Sequence, residues 1–332
     1  MALLLSDILC CPACQGNLDI YRQSYRCAIC GRSFGVVDGL PQFLVPSDLG
    51  TGENEVMETV RMFYEETPFP SYEDIEDVAS LMEKTRRSVF AKMLNDQVPF
   101  GARVLDAGCG TGQMTNYLSI ASREVVGADM CLNSLRLAMD FRDAHCLDRA
   151  HFVQMNLFHP CLKSGTFDLV ISNGVLHHTN NPSKAFHVLS RLVRPGGYFL
   201  VGLYHRYGRL ATDVRRQIFR LTNDRLKWLD RRATAINVGE VRRETWFRDQ
   251  YKNPHESKHT VEEVLEWFED SDFSFVRSIP GTVPFHPFDS DMRLFEPDRL
   301  GNRFERSLIN SKMVLSGHRE GGFFIMIGKR EK

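Results

Sequence analysis

Nothing in this 332-residue chain approaches the run of about 18 apolar residues that a membrane-spanning helix requires. Its first residues, MALLLSDILCC, also lack the basic start and long apolar core of a secretory leader. A cytoplasmic location is the expectation. Charge of one sign is missing as well. Lys and Arg number 41 against 42 Asp and Glu, a net charge of −1, so no global field advertises nucleic acid or an anionic membrane. There is no internal repeat and no low-complexity segment. The nine cysteines are not spread as a paired extracellular framework. A composition 43% hydrophobic and 25% charged excludes a mainly disordered or fibrous chain. The length suits about two domains and a core that needs no covalent staples.

Composition divides the chain into three parts. Residues 1–46 are rich in cysteine and in turn glycines, which reads as a small β module. Residues 47–99 are acidic and helix-prone, broken by Pro68-Phe69-Pro70, and read as a helical linker or lid. From residue 100 to 332, short β-branched runs alternate with helical patterns: RVLDAG, EVVGAD, HFVQMN, FDLVISN and GYFLVGLY. That alternation predicts a parallel sheet covered by helices on both faces. An arginine-rich helical insert falls at about 206–260. Between Arg206 and Arg248 there are 12 Lys/Arg and 5 Asp/Glu, a local +7, which leaves −8 for the rest. Leu210, Val214, Ile218 and Leu221 share one helix face there, and Arg209, Arg216 and Arg220 gather on another. The arginines suit either a solvated flank or a surface for an anionic partner.

Two motifs carry chemistry. Cys11-Pro-Ala-Cys14 and Cys27-Ala-Ile-Cys30 are knuckles with 12 residues between them. Two such turns can wrap four thiolates around one tetrahedral zinc; a closed four-thiolate site leaves no position for water, so the metal would be structural. An iron–sulfur site is the alternative, and the neighbouring Cys10 leaves the ligand register open. The segment 8–46, with its Asp38-Gly39-Leu40-Pro41 tail, resembles the zinc ribbon of the small activator subunits of tRNA and protein methyltransferases. The resemblance covers about an eighth of the chain and implies a packing or protein-partner module.

The second motif is Val104-Leu105-Asp106-Ala107-Gly108-Cys109-Gly110-Thr111-Gly112. A strand running into alternate glycines lets the backbone turn sharply and approach a ligand. Asp129 ends the next strand, 21 residues after Gly108, where a carboxylate can accept ribose hydroxyls. Asp106 suits a ligand carrying an ammonium group better than a pyrophosphate. A dinucleotide fingerprint places its third glycine one position later. The spacing therefore points to S-adenosyl-L-methionine (SAM) over a nucleotide oxidoreductase.

Over residues 100–205 the chain resembles class I SAM-dependent methyltransferases: DAGCGTG, VVGADM, FDLVISNGVLHH and LVRPGGYFLVGLYH look like their successive motifs. The resemblance implies a Rossmann-like, doubly wound, seven-stranded α/β sheet. It implies that Asp106, Gly108, Gly110 and Gly112 surround the methionine part of the donor. Asp129 would bind the ribose, and Met130 would lie against adenine. Asn156 and Leu157 stand where relatives hold the adenine, with Asn156 in place of the usual Asp, and Asn173 lines the cavity at the end of strand four. His177, His178, Tyr204 and His205 cluster at the ends of strands four and five as candidates to accept a proton, His178 foremost, although each suits a structural hydrogen bond as well. Tyr64 and Tyr72 belong either to a lid or to aromatic packing. Trp246, Asp249, Tyr251, His255 and His259 lie in an aromatic and His-rich insert between the fifth and sixth strands, where many relatives build acceptor specificity; His255, Glu256 and His259 are poorly spaced for a metal. Thr260, with Glu263 three residues on, marks a helix start.

These residues lead to methyl transfer onto a small-molecule or lipid-like acceptor with an anionic part. An RNA- or tRNA-modifying methyltransferase and a non-catalytic partner protein that keeps the fold are the alternatives. Against the first stands Asn173-Gly174-Val175-Leu176, where amino-methylating enzymes carry Asp/Asn-Pro-Pro-Tyr.

Overall fold

Short aliphatic and β-branched runs suit strands buried on both faces of a parallel sheet, and five such runs form its centre. They are β5 (Arg103–Ala107), β6 (Glu124–Asp129), β7 (Ala150–Met155), β8 (Phe167–Asn173) and β9 (Val193–Tyr204). The computed structural model describes residues 5–45, 55–234, 239–284, 291–316 and 322–332; the boundary expected at 46/47 lies outside them. The five strands are parallel in the order β7-β6-β5-β8-β9. Antiparallel β11 (Phe323–Arg330) lies beside β9, and β10 (Phe273–Ile279) lies beside β11. This is the expected seven-stranded, doubly wound architecture.

Alternate residues feed two cores. Leu105, Val126, Val170 and Phe199 pack with Phe186, Leu189 and Phe268 on one face. Val104, Val125, Leu169 and Leu200 pack with Leu94, Leu118 and Phe141 on the other. The helices of these layers include α4 (Val89–Gln97), α5 (Gln113–Ser119), α6 (Leu132–Ala144), α7 (Pro182–Ser190) and α10 (Val261–Glu269). Thr260 caps α10 by accepting the Glu263 N–H, as its position suggested. The chain departs from β5 toward β6 on one side and returns to β8 on the other. Their carboxyl ends therefore form the crevice where open α/β sheets bind ligands.

The cysteine-rich module is not a separate body. Its strands β1 (Leu18–Tyr21), β2 (Ser24–Cys27), β3 (Ser33–Val37) and β4 (Leu40–Phe43) continue the sheet, because β4 pairs in parallel with β7 through Gln42–Gln154 and Phe43–Met155. The seven strands thus become eleven. Cys10 N–H donates to the Cys161 carbonyl (2.8 Å) and Lys163 N–H to that of Ile8 (2.8 Å). Leu9, Phe34 and Phe43 join the core that holds Val153, Met155 and Leu162.

Between β9 and α10 lies the basic insert, with α8 (Leu210–Leu221) and α9 (Glu240–Lys252) packed through Phe219, Phe247 and Tyr251. Before the sheet, α2 (Glu55–Glu66) and α3 (Val78–Arg86) flank the Pro68–Tyr72 turn.

Candidate functional site

The glycine bend after β5 takes shapes closed to other residues. Gly108 has φ +82°, and a Cβ there would meet Val175 Cγ1 at 2.3 Å; one at Gly110 (φ +52°) would meet the Phe69 carbonyl oxygen at 2.3 Å. The bend is held from above by the proline turn. Thr111 donates its backbone N–H to the Phe69 carbonyl (3.2 Å) and its hydroxyl to that of Pro70 (2.6 Å). Gly112 begins α5 and packs against Ala138 and Phe152, behind the bend.

Asp129, at the tip of β6, grips this bend. Its Oδ2 accepts the Gly110 N–H and its Oδ1 the Cys131 N–H, both at 2.8 Å. Asp106 accepts the Thr115 hydroxyl at 2.7 Å. Desolvation raises the carboxyls of both, that of Asp106 to about 6. Neither makes an ion pair among the described residues. Two uncompensated carboxylates in one desolvated cleft are costly unless a cation fills it.

They open into a cavity of about 910 Å³, at the upper end of the range for ligand sites and large enough for two small molecules side by side. Asp106, Gly108, Gly110, Asp129, Met130, Leu157 and Asn173 all line it. Asn156 does not: it is buried in the turn after β7, where its side-chain oxygen accepts the Phe158 N–H (2.9 Å). Gln154, unmarked in the sequence, fixes the adjoining wall by donating to the Met130 carbonyl (2.9 Å).

The rest of the cavity wall is built by α2, the turn after β8, β9 and α9. His178 and Tyr204 line it, together with Tyr64, Arg232, Trp246, Asp249 and Gln250. The His178 Nδ1 lies 2.7 Å from the His255 carbonyl, which can only accept, so Nδ1 carries the proton. Burial lowers the pKa of this ring below its ordinary value, so it is neutral near pH 7 with Nε2 unprotonated. Asp249 is buried and accepts from the Tyr64 hydroxyl (2.7 Å) and the Gln250 amide (3.0 Å), which also donates to the Tyr204 oxygen (2.7 Å).

His177 packs between His178 and Tyr204, with ring centroids 4.2 and 4.1 Å away; it is fully buried behind the cavity, and neither ring nitrogen has a hydrogen-bond partner among the described residues. His205 sits outside the cavity, with Nε2 3.0 Å from Asn310 Oδ1. Tyr64 is a wall of the cavity, whereas Tyr72 packs on Phe141 and receives a hydrogen bond from Asn116. His255, Glu256 and His259 do not converge on a metal: Glu256 is held by arginines and His259 by Glu263 and Ser257.

The arginines of the insert depart from the sequence expectation. Arg209 is buried, forks onto both oxygens of Glu256 (2.9 and 2.7 Å) and stacks 3.6 Å over the Tyr204 ring. Arg216 donates to the same carboxylate at 2.6 Å. These two hold the cavity wall together instead of facing a partner. Of the insert's arginines, Arg232 is the one among the described residues that lines the cavity.

In the N-terminal module, Cys11, Cys14, Cys27 and Cys30 bring their sulfurs within 4.8 Å of one another. The Cys11–Cys30 and Cys14–Cys27 separations of 3.6 and 3.4 Å are close to the roughly 3.8 Å edge of a tetrahedral four-thiolate zinc site. Backbone N–H groups of Ile29 and Cys30 point at the Cys27 sulfur (3.4 Å each), and a backbone N–H from Arg32 holds the Cys30 thiol down to about 6. The donor set fits structural zinc. Cys10 lies outside the cluster and donates to Gln15, so the sulfurs brought together are those of the register that uses Cys11.

Strand order, glycine bend and strand-tip carboxylate define a class I methyltransferase fold. Sequence comparison agrees: residues 105–201 match the methyltransferase domain family (Methyltransf_11), and residues 2–39 match the Trm112p-like protein family. The chain joins a Trm112p-like module to a methyltransferase domain. It is 36% identical over 119 residues to malonyl-[acyl-carrier protein] O-methyltransferase of Pseudescherichia vulneris, covering 36% of this chain and 44% of that protein. It is 36% identical over 106 residues to tRNA U34 carboxymethyltransferase of Idiomarina loihiensis, covering 30% and 32%. Among solved structures, PKMT2 from Rickettsia typhi in complex with AdoHcy shares the fold at a TM-score of 0.50 and 14% identity, over 70% of this chain and 49% of that one. The chain spans about half or less of the length of the curated relatives it matches.

Proposed function

We propose that this protein transfers a methyl group from SAM to a small-molecule or lipid-like acceptor. One observation carries the reading: a single cavity is lined both by two uncompensated carboxylates at the glycine bend and by a neutral histidine and a buried carboxylate. SAM supplies a methyl group already activated by its sulfonium, so the chain has mainly to align, desolvate and, where the acceptor carries a proton, remove it. On this reading Asp129 accepts the ribose hydroxyls, and Asp106, Gly108 and Gly110 receive the methionine part with its ammonium. Met130 and Leu157 flank the adenine, and Asn173 borders the methyl position. His178 takes the acceptor proton on Nε2, its Nδ1–H being committed to the His255 carbonyl. Asp249, pinned by Tyr64 and Gln250, orients the acceptor hydroxyl. Arg232 meets the anionic part at the mouth. His177 and Tyr204 buttress His178, and His205 takes no part.

The test is a cell extract incubated with the enzyme and methyl-labelled SAM. Label is expected in the small-molecule or lipid fraction. His178→Gln should slow its appearance by about 10²–10⁴-fold with S-adenosylhomocysteine (SAH) affinity unchanged, whereas Asp129→Ala should weaken that affinity at least about tenfold. Label in RNA overturns the acceptor class. Tight SAH binding with no label anywhere favours a non-catalytic partner protein.

A further inference from the structure

Helix α8 is amphipathic, and it is mounted with its apolar stripe outward. At about 100° per residue, Leu210, Val214 and Leu221 fall within about 40° of one another, while Thr212 and Phe219 lie on the opposite side. Thr212 and Phe219 are buried, and Phe219 packs on α9. Leu210, Val214 and Leu221 are 46%, 61% and 84% exposed. Trp228, in the turn that follows, is 63% exposed. A lone exposed leucine needs no explanation, but an aligned stripe on a helix whose other face is seated in protein marks a contact surface.

The charges beside it identify the occupant. Arg220, Arg225 and Arg231 are exposed and make no ion pair or side-chain hydrogen bond among the described residues. They belong to the segment that carries +7 in a chain otherwise at −8. An outward apolar stripe followed along the chain by exposed arginines and a tryptophan is the arrangement that lies in the headgroup layer of a bilayer, the apolar side chains entering the acyl boundary and the guanidinium groups meeting phosphates. RNA would engage the arginines but has no use for the stripe, and a second copy would bring the same positive charges face to face. Arg232, which lines the cavity, follows directly on Arg231. The contact surface therefore runs up to the cavity mouth.

We infer that α8 and the turn after it dock this protein on an anionic lipid surface. Attachment is peripheral: no helix among the described residues is long and apolar enough to cross a membrane.

The test is co-sedimentation of the full chain with phosphatidylcholine vesicles, with and without phosphatidylglycerol. Pelleting is expected only when phosphatidylglycerol is present and should fall at high salt. Val214→Glu with Leu221→Glu should reduce it about tenfold, and Arg220, Arg225 and Arg231 changed together to Gln should abolish the dependence on phosphatidylglycerol. SAH affinity, unchanged in both variants, confirms that they fold, so the outcome does not depend on the acceptor assignment. Protein left in the supernatant with phosphatidylglycerol vesicles overturns the inference. So does pelleting indifferent to the stripe variant, a dimer that the stripe variant dissociates, or RNA binding that survives that variant.

Discussion

Asp106 lies near the end of β5 with only Thr115, through its hydroxyl and backbone, to stabilise its charge among the described residues, and burial lifts its carboxyl to about 6. On the proposed reading the ammonium of the donor supplies the missing cation. The proton must leave first, so SAH affinity should rise about tenfold between about pH 5 and 7, and Asp106→Asn should flatten the profile. Calorimetry at several pH values checks this, and a flat wild-type profile would refute it. Without ligand the sign is the opposite for stability. The folded state keeps this proton to about pH 6 while the unfolded chain releases it near 3.8, so this group lowers stability as pH rises through that window. Asp106, Asp129 and the glycines were legible in the sequence because the strand and bend that set their geometry are contiguous. Gln250 and Gln154 were not marked as site residues, and Asp249 stood out only as part of an aromatic and His-rich insert: on α9 and β7 they acquire their roles only through tertiary packing.

Arg209 and Glu256 show the same limit for whole elements. The sequence places both in the insert, yet spacing does not reveal that one buried carboxylate clamps arginines from the start and middle of α8 to the segment after α9. Burial opposes ionisation of Glu256, but hydrogen bonds and charge from Arg209, then Arg216, hold its carboxyl down to about 2 against an ordinary 4.5. The stability it contributes is fully present above pH 4.5 and is lost as pH falls toward 2. Glu256→Gln leaves Arg209 buried without a counter-charge and should cost about 3–5 kcal/mol at neutral pH, with the difference from wild type shrinking in acid. Denaturant unfolding at several pH values measures both. Helix α8 is a related case. Its periodicity showed that an apolar face exists, but amphipathicity alone does not say which face the protein covers. Here Phe219 seats the helix and the leucine stripe is left outside.

At the scale of the molecule, the sheet order and both cores follow from local alternation of strand and helix, and the two knuckles marked the metal module at once. That β4 would pair with β7 was not readable, because Phe43 and Met155 are far apart in sequence and a two-pair register leaves no periodic trace. The module and the sheet share one core through Leu9, Phe34 and Phe43, so they should unfold together. Removing zinc with a chelator should lower the single midpoint of thermal unfolding, whether followed by the near-ultraviolet signal or by SAH release. A second, separate transition would show that the two parts are independent. Excision of residues 5–45 should leave an insoluble chain, since it bares the β7 edge and the apolar side chains beneath it.

The β4–β7 seam is made within a single polypeptide. Where a ribbon and a methyltransferase are separate gene products, their association obeys mass action and rival enzymes can compete for a limited pool of ribbon. Here the two are tethered, the local concentration of one for the other is fixed by the linker, and neither dilution nor competition can titrate them apart.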